Sequence, residues 1–320
     1  MTLLSVQDLS IRFRTPDGYV HAVNNVSFDI EEGEKLAVVG ESGSGKSQIA
    51  LAILGLLANN AEASGRILYK GQNLLDLPRR EMNKIRAKEI SIIFQDPMSS
   101  LNPYMTVERQ LNEILELHEG LRGRAARSRV LEVMEAVQIP DAKNRLKSYP
   151  HEFSGGMRQR IVIAMALLCR PKLILADEPT TALDVTVQAQ IMHLLEDIQK
   201  EYGSSIMLIT HDLGVVAGFC NETLVLYGGR VMERAGTAAI FAAPAHPYTR
   251  GLMRAVPNIH DPSATLQSIP GQPPNQTRPL VHCPFAGRCG DSLEACFDIL
   301  PELSPAPHQR ACIRAVEELT

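Results

Sequence analysis

The stretch Gly40-Glu41-Ser42-Gly43-Ser44-Gly45-Lys46-Ser47 constrains this chain more than any other. It fits G-x-x-x-x-G-K-[ST], and its neighbours suit the pattern. Lys35-Leu36-Ala37-Val38-Val39-Gly40 before it is a near-continuous apolar run, the look of a parallel strand covered on both faces. After it, Ile49, Ala50, Ile53, Leu54 and Leu57 give a helix an apolar face. Glycines let the backbone wrap a phosphate chain, and the N–H groups converge at a helix N-terminus as an anion nest. Lys46 would reach the β- and γ-phosphates, and the Ser47 hydroxyl would hold Mg²⁺. A Gly/Ser-rich turn could match by chance, but not readily with strand and helix both in place. The loop predicts a nucleotide site on an α/β fold.

The rest of the chain agrees with that fold class. Leu3–Arg14 and Tyr19–Ile30 read as an antiparallel pair joined by the turn Thr15-Pro16-Asp17-Gly18. Further buried-strand runs are Lys172–Asp177, Ser205–Thr210 and Thr223–Tyr227. Between Met105 and Pro150 the pattern is helical without strands, which predicts a helical subdomain, about 105–170, inserted into the main sheet. With 32 basic and 36 acidic residues the formal charge is −4, giving no bulk reason to expect a nucleic-acid partner. The longest apolar run, Ile161–Cys169, is about half of what a spanning helix needs. The start has neither a basic n-region nor an apolar h-region. The expectation is a soluble cytoplasmic chain, any membrane role coming through a partner.

A nucleotide site with Mg²⁺ also needs carboxylates, and the run ending in Asp177-Glu178 supplies two. Asp177 would orient the metal shell; Glu178, one residue further on, is placed to polarise an attacking water. Acidic strand ends are common, so this pair gains its weight from the phosphate loop that precedes it.

Phe153-Ser154-Gly155-Gly156-Met157-Arg158-Gln159-Arg160 precedes a helix with apolar Met157, Ile161, Ala164, Met165 and Leu168. It resembles the signature motif of ATP-binding cassette (ABC) ATPases. Ser154-Gly155-Gly156 alone would most often be a helix cap; here cap and function coincide. Gln95 in Ile93-Phe94-Gln95-Asp96-Pro97 resembles the Q-loop, Thr181-Ala182-Leu183-Asp184 the D-loop, and His211 in Ile209-Thr210-His211-Asp212 the switch histidine. The resemblance covers about residues 1–255. It implies an antiparallel β subdomain and a helical subdomain around the P-loop core. It also implies catalytic roles for Glu178, His211 and Gln95, and Mg²⁺ ligation by Ser47, Gln95 and Asp177. Adenine would stack on Phe13, with Tyr19 the alternative. Ser154, Gly155 and Gly156 would serve a nucleotide held by another subunit. Met157 departs from the family's usual Gln, a change that the glycine backbone tolerates.

Within that family the runs Phe94–Pro103, Asp177–Gln190 and His246-Pro247-Tyr248-Thr249 resemble bacterial oligopeptide/dipeptide import ATPases. The implied machine pairs this chain with a homologous second ABC ATPase, two transmembrane permease subunits and an extracytoplasmic peptide-binding protein. It would sit peripherally on the cytoplasmic face of the inner membrane and power uptake of short peptides. Alternatives are the same machine carrying nickel or glutathione, or a non-transport ABC ATPase with a redox-sensing Fe–S domain.

Twelve of the 20 prolines fall from Pro244 onward, so the tail reads as loop-rich and short of core. A boundary near Val256 and Pro257 gives domains of 1–256 and 257–320. Cys283, Cys289, Cys296 and Cys312 lie in the tail. In the cytoplasm such a cluster favours a metal over disulfides. The spacing lacks the C-x2-C pairs of zinc ribbons, while Fe–S ligation tolerates longer loops. The family resemblance implies a [4Fe–4S] centre; zinc and plain thiols stay as alternatives. Cys169 and Cys220 read as small core residues.

Overall fold

The computed structural model describes residues 1–181, 183–255 and 268–319; the boundary expected at Val256 and Pro257, and Ala182, lie outside them. In chain order the first elements are β1 (Thr2–Thr15), β2 (Gly18–Glu31), β3 (Lys35–Val39), α1 (Lys46–Ile53), β4 (Ala61–Tyr69) and β5 (Gln72–Asn73). Then come α2 (Arg79–Ile85), β6 (Ile90–Ile93), α3 (Pro97–Ser100), α4 (Val107–Glu119), α5 (Gly123–Ala136), α6 (Ala142–Arg145) and α7 (Gly155–Leu167). The last are β7 (Leu173–Asp177), α8 (Val185–Tyr202), β8 (Ser205–Thr210), α9 (Leu213–Phe219), β9 (Glu222–Tyr227), β10 (Arg230–Gly236), α10 (Thr237–Ala242), α11 (Pro247–Arg254) and β11 (Gln309–Arg310).

The chain divides into two compact units. One comprises Met1–Glu31, Lys35–Asp76 and Ile209–Thr320. Its antiparallel sheet runs β2-β1-β4-β5, with β1 and β2 joined at the turn read from sequence. Alternation along β1 buries Leu4 and Val6, and resumes past an irregularity at Asp8 to bury Leu9 and Ile11. Its other strands build on β3, which pairs in parallel with β9; β10 and then β11 follow antiparallel. Leu36 to Val39 and Leu224 to Tyr227 are buried throughout, as two-sided coverage requires.

Residues 268–319 belong to this unit, and between them they carry only the two-residue β11 and short 3-10 turns. Packing ties them in. Phe285 meets Tyr227 and Tyr248 edge-on, both at 5.3 Å between ring centroids. Buried Glu233 on β10 accepts from the amides of Ala245 and His246 and pairs with His308 Nε2 at 2.5 Å.

The second unit comprises Glu32–Glu34 and Leu77–Leu208. Parallel β6 and β7, with β8 next to β7, form its sheet portion. Helices α4 to α7 lie between β6 and β7 in the chain. Leu111, Leu115, Val130, Val133, Met134 and Ile161 are their buried faces. Among the described residues no helix is long and apolar enough to cross a membrane.

Candidate active site

The phosphate loop joins β3 to α1. Gly40, Gly43 and Gly45 have φ of 153°, 78° and 97°. A Cβ on Gly40 would lie 2.1 Å from the Leu226 carbonyl oxygen, and one on Gly45 2.4 Å from that of Ala22. Both neighbours are backbone, so no rotamer change relieves the clash. At Gly43 no described atom lies within 4 Å, and only the dihedral objects. Gly40→Ala is therefore expected to cost about 3 kcal/mol or more, and Gly43→Ala about 1 kcal/mol. Urea unfolding separates the two; equal losses would show that crowding at Gly40 relaxes.

Lys46 is buried, and its Nζ donates to the carbonyls of Gly40 and Glu41 at 2.8 Å each. One ammonium thus spans the loop from its first residues to the helix start. Ser47 follows in the first turn of α1. The Glu41 amide donates to the Tyr248 hydroxyl at 2.9 Å, a partner that local patterns could not announce.

That tyrosine explains the His246-Pro247-Tyr248 run. His246 caps α11, its Nδ1 accepting from the Tyr248 amide at 3.0 Å, and Pro247 takes the first helical turn. Burial draws the imidazole pKa down to about 3, keeping neutral the nitrogen that must accept.

Phe13 and Tyr19 part company on the β1–β2 ribbon. Phe13 pairs with Val20, while Tyr19 pairs with Arg14, so the two rings take opposite faces. Phe13 alternates onto the face of buried Ile11, whose partner Val23 lies beside Gly45. Tyr19 is engaged elsewhere, under the Arg12 guanidinium and donating to Glu62.

In the second unit, β7 ends at buried Asp177 and Glu178 follows in a left-handed conformation, φ 47°. Glu178 Oε2 accepts from Gln95 Nε2 at 2.8 Å and from the Thr181 hydroxyl at 2.7 Å. Gln95 and Glu178, 83 positions apart, both stand in motifs visible in the sequence; Thr181 stands there only as part of the D-loop. Gln95 thereby keeps its Oε1 as the oxygen it could offer a cation. Within this unit the Gln95 carbonyl and the Asp177 carboxylate are oxygen donors, the kind that suits Mg²⁺. His211 follows β8 and is exposed.

Ser154 caps α7, its Oγ accepting from the Met157 amide at 3.4 Å. Met157 uses its backbone here, so the side-chain departure leaves the cap intact. Gly156 sits where a Cβ would meet Val187 Cγ1 at 2.8 Å, whereas no described atom stands within 4 Å of that position at Gly155. Asp184 caps α8 through the Val187 amide at 3.0 Å. The motif helix and the D-loop helix therefore meet at Gly156.

Cys283, Cys289, Cys296 and Cys312 line one small, mostly apolar cavity, with His246 and Phe285 beside them. Burial pushes the Cys283 thiol up and that of Cys289 to about 11. Among the described residues no three His, Cys, Asp or Glu converge on a single ion. Cys220 is buried, with its thiol at about 12, and Cys169 is half-buried at about 11.

Comparison with known proteins extends this geometry. Residues 23–181 match the family model described as ABC transporter, and 232–296 match the oligopeptide/dipeptide transporter C-terminal region. The oligopeptide transport ATP-binding protein OppD of Salmonella typhimurium is 54% identical, over 99% of this chain and 95% of that one. The dipeptide transport ATP-binding protein DppD of Bacillus subtilis is 50% identical, over 93% and 90%. The ATP-binding cassette MJ0796, solved as a dimer bound to ADP and Pi, superposes with a TM-score of 0.66. It is 29% identical over 73% of this chain and 98% of its own.

Proposed function

The chain belongs to the ABC transporter ATPases, and from that premise we propose that it hydrolyses ATP to drive import of short peptides. The carrying observation is that the phosphate-loop cassette continues into an oligopeptide-type C-terminal region in one chain. Glu178 is the group that polarises water, held by Gln95 and Thr181. Lys46 and the loop amides take the phosphates, and Ser47, Gln95 and Asp177 hold Mg²⁺. Phe13 stacks on adenine, which its face of the ribbon supports. His211 completes the site near the γ-phosphate, and Asp184 orders the D-loop.

Ser154, Gly155 and Gly156 serve the nucleotide of a homologous second ATPase; the open space at Gly155 favours an approach from outside the chain. Two membrane permease subunits dock near Gln95 and the helical insert. Phe94, Met98 and Tyr104 are exposed there at 38%, 51% and 89%, available for such a contact. An extracytoplasmic binding protein delivers cargo, and this chain stays peripheral, on the cytoplasmic face. The four tail thiols, which line one cavity together, would hold a [4Fe–4S] centre. The centre supplies cross-linking to a tail with little core.

The test is reconstitution. This chain alone should bind Mg-ATP yet hydrolyse it slowly. Adding the partner ATPase and permease subunits should raise the rate at least tenfold, and peptide-loaded binding protein should raise it again. Stimulation by nickel or glutathione instead of peptide would overturn the cargo. Full turnover by dilute monomer would remove the shared site.

A further inference from the structure

The phosphate loop is gripped by the C-terminal segment through one ion pair. Arg288 Nη1 and Nη2 reach the two carboxylate oxygens of Glu41 at 2.7 and 3.1 Å. Glu41 is the second residue of the loop, 247 positions away. The same guanidinium donates to the Tyr227 hydroxyl at 3.0 Å, the Pro270 carbonyl at 2.7 Å and the Ile269 carbonyl at 3.2 Å. Its side chain is only 8% exposed. This is a planar fork with its donors placed, at a site where Lys could not replace it. The Glu41 carboxylate also holds the arginine firmly charged.

Two more contacts reach the loop from beyond the cassette match. Tyr248 accepts the Glu41 amide, and Gln276 Nε2 donates to the Gly43 carbonyl at 3.2 Å while its own carbonyl takes the His21 amide. Glu41 is otherwise a poor residue for its position. A carboxylate in a loop that wraps a polyanion repels its ligand, more strongly where water is excluded. A bidentate arginine neutralises it and holds it turned toward the C-terminal segment.

We propose that Arg288 is a positioning residue for nucleotide binding: it cancels and orients the Glu41 carboxylate so that the phosphate loop stays open to a triphosphate. The inference rests on the ATPase reading above. It makes the C-terminal segment part of the nucleotide site, acting through Glu41 rather than on the phosphates.

The test is a four-variant cycle on the full chain: wild type, Arg288→Ala, Glu41→Gln and both together, titrated with Mg-ATP. Arg288→Ala should weaken binding about tenfold or more, because it leaves a loop carboxylate unpaired. In the Glu41→Gln background the same change should cost less than about threefold, since the offending charge has gone. A brace that merely held the segment in place would show no such rescue. Undiminished affinity in Arg288→Ala, or an equal loss in both backgrounds, would overturn the proposal. Should Arg288→Ala melt early, Arg288→Gln keeps a donor for the Ile269 and Pro270 carbonyls and is carried through the same cycle. Failure of the wild-type chain to bind Mg-ATP would sink the ATPase reading instead.

Discussion

Glu178→Gln is expected to lower hydrolysis in the assembled transporter by about 10²-fold or more while Mg-ATP affinity is retained. Glu178 Oε2 accepts two hydrogen bonds, from Gln95 and Thr181. An amide oxygen at the same place can accept both, so the local geometry should survive. What the amide cannot do is take a proton from water or polarise it with a full charge. The loss should therefore fall on kcat and leave the binding constant alone. Nucleotide should then accumulate unhydrolysed, trapping the two cassettes around it. Near-full turnover would move the role away from Glu178, and a matching loss of affinity would make the residue a ligand-binding one.

The residues of that prediction were legible in the sequence because each sits in a short motif at a predictable place. Strand runs such as Lys35–Val39 and Leu173–Asp177 mark buried strands, and the phosphate loop and the proposed catalytic carboxylate follow at their ends. Other elements left no such mark. Strand β4 carries exposed residues at Glu62 through Arg66, including Gly65, so its period-2 pattern is absent. Strand β6 has four residues, too few to show any period. Strand β10 buries Glu233 in mid-run, a charge that breaks the apolar reading until His308 and two amides are seen to satisfy it.

The contacts around the phosphate loop were hidden for a different reason. Tyr248 and Arg288 are separated from Glu41 by 207 and 247 positions. No local propensity encodes pairing at that range; only the fold brings them together. The His246-Pro247-Tyr248-Thr249 run was visible as a resemblance, but its physical purpose was not. It caps a helix so that one hydroxyl meets a loop amide. Proline density correctly described the tail as loop-rich, yet composition has no means of saying what the loops touch.

Those contacts change what the loss of one tail thiol should do. Cys296 is 8% exposed, its carbonyl accepts from the Cys283 amide at 3.2 Å, and its Sγ accepts from the Leu293 amide at 3.4 Å. If a centre is ligated there, its binding free energy is folding free energy for the segment, on the order of 10 kcal/mol for tightly held structural metals. Cys296→Ser should then leave 268–319 poorly ordered, with protease cleavage there faster by about tenfold or more. A tail standing apart from the cassette would leave nucleotide binding untouched. Here the segment carries Arg288 and Gln276 onto the phosphate loop. Mg-ATP affinity should therefore fall as well, by about as much as in Arg288→Ala. Iron and sulfide analysis of anaerobically purified chain, about four of each, supports the cluster; one zinc without sulfide selects zinc. Unchanged protease resistance in Cys296→Ser would mean that packing around Phe285 holds the segment by itself. Faster cleavage with unaltered affinity would mean that the loop keeps its shape without its C-terminal grip.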